Sequence, residues 1–585
     1  MWCASESLFR SYDPSAAFLA CRWHELFDEY TPDTFHPKLF SLPSLVNEAI
    51  EIGQLQADHE AWGKHLKKVQ EEIGERVERG LERNLCSPRH LVMLQRIQKS
   101  ASVAEVVGAG RVLALEGFSS CVEDAVTSQF CDLSGSEIPR RKTDADSILT
   151  ALATHAFQRG CSTVDCQDFQ PDLAQGFETV RSWILSCLPG TIREFDCIVA
   201  VKAGDPSSQN ELRAVCDHAN VTRASPKIPG LASDSGTIFF RRKANGLRER
   251  EAIDTIKADI RAGLNLLALY KQSAAPRILP GGWTVGGEGA KFIPESNASF
   301  RNLHPRRDAV KLADHAAAAL TGRKEPAIRA ALDLHNLALS MTDHRLRLVN
   351  LWSALECLAS VLDGDSIITR VERLVVPILT WRKIEKVVRY LAISIHFWLR
   401  ENPALDRKSL PFGLGHNDSV APEQILTLLT EPEKSPGIMA LLDLVSGHPL
   451  LLYRIHRAWD LFHDPKSLRA NLNQSERRLG WHLWRIYRAR NLLVHQGIEP
   501  PCLPQLANHL QQYFSWTLSR LLHGITLGPE WTAKDSWHYL KSKSDHVTDS
   551  LERYPHVLKV GDMFPEELLS PEFPVWRNLA NHPAK

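Results

Sequence analysis

From Arg306 to His523 the chain repeats one pattern, with apolar residues three and four positions apart and Pro, Gly or Asn at many of the breaks. An α-helix turns once every 3.6 residues, so this spacing gives each segment an apolar stripe that must be buried against another element. The pattern predicts helices over 307–320, 327–362, 367–400, 436–462, 475–495 and 504–522. Helices joined by short breaks, each with a stripe to bury, dictate a bundle. The piece from Glu401 to Pro436 carries five prolines and reads as an ordered insertion or loop between two of these helices.

Upstream the pattern changes. Leu45, Ile50, Ile52, Leu55, Trp62, Leu66, Val69, Ile73, Val77 and Leu81 recur at helical spacing among charged residues, which predicts a pair of amphipathic helices with a third after Pro88. Arg111 to Phe118, Cys197 to Lys202 and Thr237 to Arg241 are short apolar or β-branched runs that suit strands. Helical periodicity over 144–157, 173–188 and 249–272 completes an α/β or α+β region. The expected fold is therefore mainly α with an α/β or α+β middle and a C-terminal helical bundle. Its expected parts are 1–100 helical, 101–275 mixed, 276–305 linking, 306–528 the bundle and 529–585 a locally packed tail.

Two glycine-containing stretches invite a nucleotide-binding reading. Gly281, Gly282, Gly286, Gly287 and Gly289 lack the Gly-Lys-Ser/Thr that ends a phosphate loop, since Ala290 precedes Lys291 and Phe292 follows, so a hairpin or linker is expected. Val107 to Gly110 lacks the third glycine of a dinucleotide fingerprint. Nucleotide hydrolysis or transfer by the middle region thus has no motif behind it.

Sixty-nine Lys plus Arg balance sixty-nine Asp plus Glu in 585 residues. Neutrality excludes a general polyanion-coating role, and any nucleic-acid site must be a local concentration of charge. Met1 to Asp13 has no basic leader or apolar core of a secretory signal, and the longest apolar stretches are interrupted by Glu356, Asp443 and His448, so neither export nor a membrane span is expected. Twelve scattered cysteines, of which Cys161 and Cys166 lack a second pair at metal-ligand spacing, suit reduced thiols in a cytoplasmic protein. His448, His456 and His463 have no carboxylate or thiol set beside them and read as core or surface residues.

Charge is concentrated in one place. Arg469 to Asn491 holds Arg469, Arg477, Arg478, Arg485, Arg488 and Arg490 against Glu476, with Trp481, Trp484 and Tyr487 interleaved. Such a run can line a basic groove with stacking surfaces for unpaired bases, which makes Arg477, Arg478, Arg485 and Trp484 candidate RNA contacts. It can equally turn its aromatics to the core and its arginines to solvent. The run leads into Arg490, Asn491 and His495, and Gly497 then supplies a helix stop. On a regular helix Asn491 and Arg488 share the face of His495. Spacing alone is cheap evidence, because Arg213/His218 and Arg477/His482 repeat it.

Arg490, Asn491 and His495 resemble the signature of the HEPN superfamily: an Arg, a polar residue directly after it, and a His a few positions on. A second resemblance lies in Leu348 to Leu358 (LVNLWSALECL), which is similar to the second helix of the Apea-like HEPN branch. The resemblance covers about 306–523. It implies a helical domain that pairs with a second copy to bring two Arg/His sets together, and a metal-independent, cofactor-free endoribonuclease of antiphage, abortive-infection or toxin systems, answering a phage-derived or small-molecule trigger.

The chemistry fits those residue types. An imidazole can take or give the ribose 2′-hydroxyl proton near neutral pH, and a guanidinium neutralises charge accumulating on phosphorus. The 2′-hydroxyl would be the nucleophile, leaving a 2′,3′-cyclic phosphate and a 5′-hydroxyl and sparing DNA. The resemblance assigns Arg490 to phosphate, His495 to acid/base work and Asn491 to orientation. Glu356, from the matched second helix, would hold the Arg490 guanidinium, with Arg488 as the second candidate arginine. The alternative is a catalytically inactive HEPN-like scaffold that binds RNA, nucleotide or a protein and uses Arg490 and His495 for structure.

Overall fold

The computed structural model describes residues 13–27, 40–55, 60–79, 84–138, 140–158, 176–188, 193–202, 222–223, 237–246, 249–271, 277–279, 281–286, 289–293, 325–341, 343–364, 366–402, 420–431, 435–500, 502–526 and 530–553. The expected helix over 307–320, the Cys161/Cys166 pair, Arg213/His218 and most of the expected insertion lie outside these residues. The chain divides into a helical unit (Met1–Gln158, Pro171–Arg181 and Pro305–Lys585) and a sheet unit (Arg159–Gln170 and Ser182–His304).

In the helical unit, the N-terminal part comprises α1 (Pro14–Phe27), α2 (Leu42–Leu55), α3 (Glu60–Arg79), α4 (Pro88–Lys99), α5 (Val103–Leu115), α6 (Phe118–Cys131) and α7 (Lys142–Gln158). Helix α8 (Phe177–Cys187) begins in this unit and ends in the other. The C-terminal part comprises α10 (Pro326–Ser340), α11 (His344–Ala359), α12 (Ile367–Glu401), α13 (Pro422–Leu429), α14 (Pro436–Leu444), α15 (Pro449–Phe462), α16 (Pro465–Asn491), a π-helical turn (Leu492–Gln496), α17 (Leu503–Thr526) and α18 (Ala533–Arg553). The sheet unit holds β1 (Arg193–Lys202), β2 (Thr222–Arg223), β3 (Thr237–Gly246), α9 (Glu249–Lys271), β4 (Arg277–Ile278), β5 (Gly282–Gly286) and β6 (Gly289–Ile293).

The sheet runs β2-β3-β1-β5-β6, with β4 also on β1, and every described pairing is antiparallel. That makes the middle α+β rather than α/β. Cys197, Val199 and Val201 pack with Ile253, Ile256 and Ile260 of α9, while Ile198 and Ala200 sit on the opposite face with Phe239. A strand buried on both faces reads as a continuous apolar run, which is why Cys197 to Lys202 was legible as one.

Several boundaries differ from expectation, and the expected helices over 327–362 and 436–462 are each two, α10 with α11 and α14 with α15. Arg111 to Phe118 is not a strand: Arg111 to Leu115 closes α5, whose buried Val106, Ala109 and Leu113 keep helical spacing, and Val107 to Gly110 lies inside the same helix. A short apolar run cannot by itself distinguish the two states. Residues 101–158 therefore belong to the helical unit, with 1–100 and the bundle, and not to the mixed region. Of the hairpin or linker expected for the glycine-rich stretch, the hairpin is what forms: β5 and β6 pair and extend the sheet, so 276–305 does more than link.

The N-terminal helices dock on the bundle through paired charges. Glu25 on α1 takes Arg22 at 2.8 Å and Arg454 of α15 at 2.5 Å, while Asp146 of α7 accepts from Tyr453 at 2.8 Å and from Arg22. His24 and His448 are buried, and desolvation lowers each to about 4.

The expected tail contains α18, which packs on α12, α16 and α17. Pro377 lies inside α12 and has no N–H, which leaves the Arg373 carbonyl without its helical donor. Trp537 of α18 donates its Nε1–H to that carbonyl at 3.3 Å.

Two outcomes follow. Trp537→Phe, which removes this part-buried bond, should cost about 0.5–1.5 kcal/mol in urea unfolding; an unchanged midpoint would show that the bond contributes nothing. His24 and His448 bind protons below their ordinary 6.5 when unfolded but only near 4 when folded. Stability should therefore fall as pH drops from 6.5 toward 4, and His448→Gln should flatten that slope in melts across the window.

Candidate active site

The two helices singled out by sequence come together. Helix α11 packs on α16 and on the π-turn. Leu348, Leu351, Trp352, Leu355 and Leu358 are its buried stripe, and the Trp352 ring meets Tyr487 of α16 at 5.5 Å. Asp343 opens α11 as an N-cap, accepting from the Arg345 N–H at 2.8 Å.

Helix α16 ends at Asn491, and His495 stands on the π-turn. In an α-helix, residues five apart point about 140° away from each other, and the wider i→i+5 winding narrows that angle. The π-turn begins at Leu492, so the regular-helix register that would align His495 with Arg488 is broken between them. Gly497, at φ +68°, ends the turn in the left-handed region, and the Ile498 N–H closes it on the Leu492 carbonyl at 3.2 Å. Residues Val494 to Glu499 are exposed, and the His495 ring has no hydrogen-bond or ion-pair partner among the described residues.

The arginines of the run divide sharply. Arg485, 4% exposed, bonds Glu48 at 2.7 Å and pairs with Glu72, its guanidinium 4.2 Å from the centre of the Phe40 ring. Arg488 pairs with Glu51 and reaches Glu48 at 3.7 Å. Arg478 bonds Glu75 at 2.8 Å, and the half-exposed Arg477 reaches the same carboxylate at 3.5 Å. Arg469 approaches Glu552 at 3.9 Å. Arg490 alone of the six has no carboxylate among the described residues. One of its Nη atoms donates to Asn491 at 3.0 Å, and its Nε is buried without a partner.

Burial opposes ionisation of Glu48, but Arg485, the His65 hydrogen bond and Arg488 outweigh it and hold the carboxyl well below its usual range. Burial likewise opposes the charge on Arg485, and Glu48 and Glu72 restore it. His482, the spare histidine of the Arg477 spacing, is buried against Tyr513 at 2.8 Å and is held neutral by burial, His509 and Arg485.

Several expected roles are corrected. Arg485 and Trp484 are buried: the Trp484 indole donates to Glu372 at 3.0 Å, and Lys68 sits 5.6 Å from the ring centre. Neither is at the surface while these contacts hold. Arg478, which is paired to Glu75, turns inward with them, and Arg477 keeps an exposed edge. Arg488 is engaged by acids instead of sharing a face with His495. Glu356 does not hold Arg490, because it accepts the Trp352 indole N–H of its own helix at 2.6 Å. What sequence reading missed are the acids Glu48, Glu51, Glu72 and Glu75, whose i, i+3 spacing on α2 and α3 was the available signal. Among the described residues no group of three or more His, Cys, Asp or Glu could hold a metal ion, and no helix is long and apolar enough to cross a membrane.

Comparison with family models, with curated proteins and with solved structures found no match to this chain.

Replacing Arg485 by Ala leaves Glu48 and Glu72 buried without their common cation, an uncompensated charge that should cost about 3–5 kcal/mol. His495→Ala, at an exposed position, should change stability by less than about 0.5 kcal/mol. Urea unfolding of both variants checks the contrast, and equal midpoints would contradict it.

Proposed function

We propose that this chain is a metal-independent endoribonuclease that cleaves RNA by 2′-hydroxyl attack, with Arg490 on the phosphate, His495 in acid/base work and Asn491 orienting the guanidinium. The observation that carries this reading is the division among the arginines. The fold pairs five with carboxylates and leaves without one the arginine that the His495 spacing singles out. A guanidinium without a carboxylate among the described residues, five residues before an exposed imidazole, is free to take a phosphate.

One copy supplies one such pair, so the working enzyme in this reading is a homodimer joined around the π-turn. Val494 and Ile498, 45% and 51% exposed, flank His495 and give a second copy apolar surface to cover. The cellular setting in this reading is cytoplasmic, in an antiphage, abortive-infection or toxin system. The inactive-scaffold alternative draws on one observation, the inward turn of Arg478, Arg485 and Arg488, which leaves little cationic surface to hold RNA.

Purified protein incubated with labelled RNA should yield 2′,3′-cyclic phosphate ends, spare the equivalent DNA and resist a chelator. His495→Ala and Arg490→Ala should each lower the rate at least 100-fold with melting unchanged, in line with about 10²–10⁴ for a lost acid/base group. Full cleavage by both variants would overturn the site assignment, and RNA binding without cleavage by the unaltered protein would establish the scaffold.

A further inference from the structure

The contact between α16 and the α2–α3 hairpin is built like a coiled-coil seam with charge in place of apolar residues. Gln474, Arg478, Arg485 and Arg488 share one stripe of α16, spaced four, seven and three residues apart. Across from them, His65, Lys68, Glu72 and Glu75 form a stripe of α3 at spacings of three, four and three, and Glu48 and Glu51 belong to α2. The pairs run antiparallel along α3 and parallel along α2. Glu75 takes Gln474 at 2.8 Å and Arg478 at 2.8 Å, Glu72 and Glu48 take Arg485, and Glu51 takes Arg488. Lys68, outside that order, reaches across to Glu372 of α12 at 2.7 Å.

The hairpin has another side for its apolar residues. On α2, Val46, Ile50 and Gly53 face α5, where a Cβ on Gly110 would stand 2.5 Å from Ile50 and one on Gly53 would stand 2.5 Å from Val107. The helix thus turns its packing to α5 and its carboxylates to α16. Four glutamates, Glu48, Glu51, Glu72 and Glu75, meet four arginines, Arg477, Arg478, Arg485 and Arg488, so the seam is neutral as a whole.

An apolar seam of this length would hold at least as tightly, because desolvating ions offsets much of what their attraction gains. What an ionic seam adds is exchangeability. The guanidinium groups that take carboxylates can take phosphates with the same two-pronged geometry. Carboxylates at three- and four-residue spacing along a helix offer the regular row of negative charge that a nucleic-acid backbone offers.

We propose that the α2–α3 hairpin is an internal polyanion mimic that keeps α16 closed, and that an RNA backbone competes with it for Arg477, Arg478, Arg485 and Arg488. The inference rests on the reading of this chain as an RNA-cleaving protein and adds its resting state: a partly buried Arg490 and an exposed His495, with Arg478, Arg485 and Arg488 held by the hairpin until it yields.

The test uses full-length protein in a His495→Ala background, so that binding is read without cleavage. The probe is a fluorescein-labelled 20-nucleotide uridine RNA. Glu51→Gln with Glu75→Gln removes the two outer clasps and should raise affinity at least tenfold while deuterium uptake over 465–491 increases. Glu71→Gln with Glu78→Gln makes the same charge change at exposed α3 positions off the stripe and should leave both readouts where they were. Increased uptake with unchanged affinity would overturn the proposal. So would uptake that does not respond, or a control pair that raises affinity as much. Should the double variant unfold, Glu51→Gln alone, whose carboxylate is 55% exposed, carries the same test. An unaltered protein that fails to cut RNA while the clasp variant binds it tighter would sink the nuclease reading and leave the mimic standing.

Discussion

Arg485 is the constraint from which the helical unit follows. A guanidinium 4% exposed is tolerable only if its charge is met, and Glu48 and Glu72 meet it from two helices that lie more than four hundred residues earlier in the chain. That one requirement fixes α2 and α3 against α16. It sets the order in which Glu75 and Glu51 reach Arg478 and Arg488, and so decides which side of α16 faces solvent. Glu25 and Asp146 repeat the device at the α1–α7–α15 contact, so the N-terminal helices join the bundle through paired charge at two separate places.

Once those pairs are made, little of the cationic run remains for anything else. Arg490 alone of the six is left without a carboxylate among the described residues, and α16 gives way to a π-turn just beyond it. The turn is held by Gly497 and the Ile498–Leu492 bond, features of a helix end that cost nothing elsewhere in the fold. The proposed chemistry thus depends on a change in helical winding at the motif as much as on the residue types in it.

The secondary structure was largely legible, because periodicity is local. The 35-residue helix α12, the strand run at Cys197 to Lys202 and the helix stop at Gly497 all announce themselves within a few residues. Arg111 to Leu115 reads as a strand because four apolar residues in a run of five fit either state, and the helix α5 packs on, α2, lies elsewhere in the chain. The fate of the arginines was illegible for a stronger reason. Charge density in a sequence records how many cations a segment has, while their availability depends on acids 403 to 437 residues away. Glu356 differs for a similar reason: Trp352, one turn earlier on its own helix, donates to its carboxylate, a partner that the motif did not reveal.

The most direct test of this account is the salt dependence of RNA affinity, because the slope of log affinity against log salt counts the phosphates that meet cations. For single-stranded RNA each contact contributes about −0.7. With His495→Ala protein and a short uridine RNA, an α16 closed by the hairpin predicts a shallow slope, about −0.7 to −1.4 for one or two contacts at Arg490 and its edge. A slope near −4, as six exposed arginines would give, would mean that the ion pairs with Glu48, Glu51, Glu72 and Glu75 do not hold in solution.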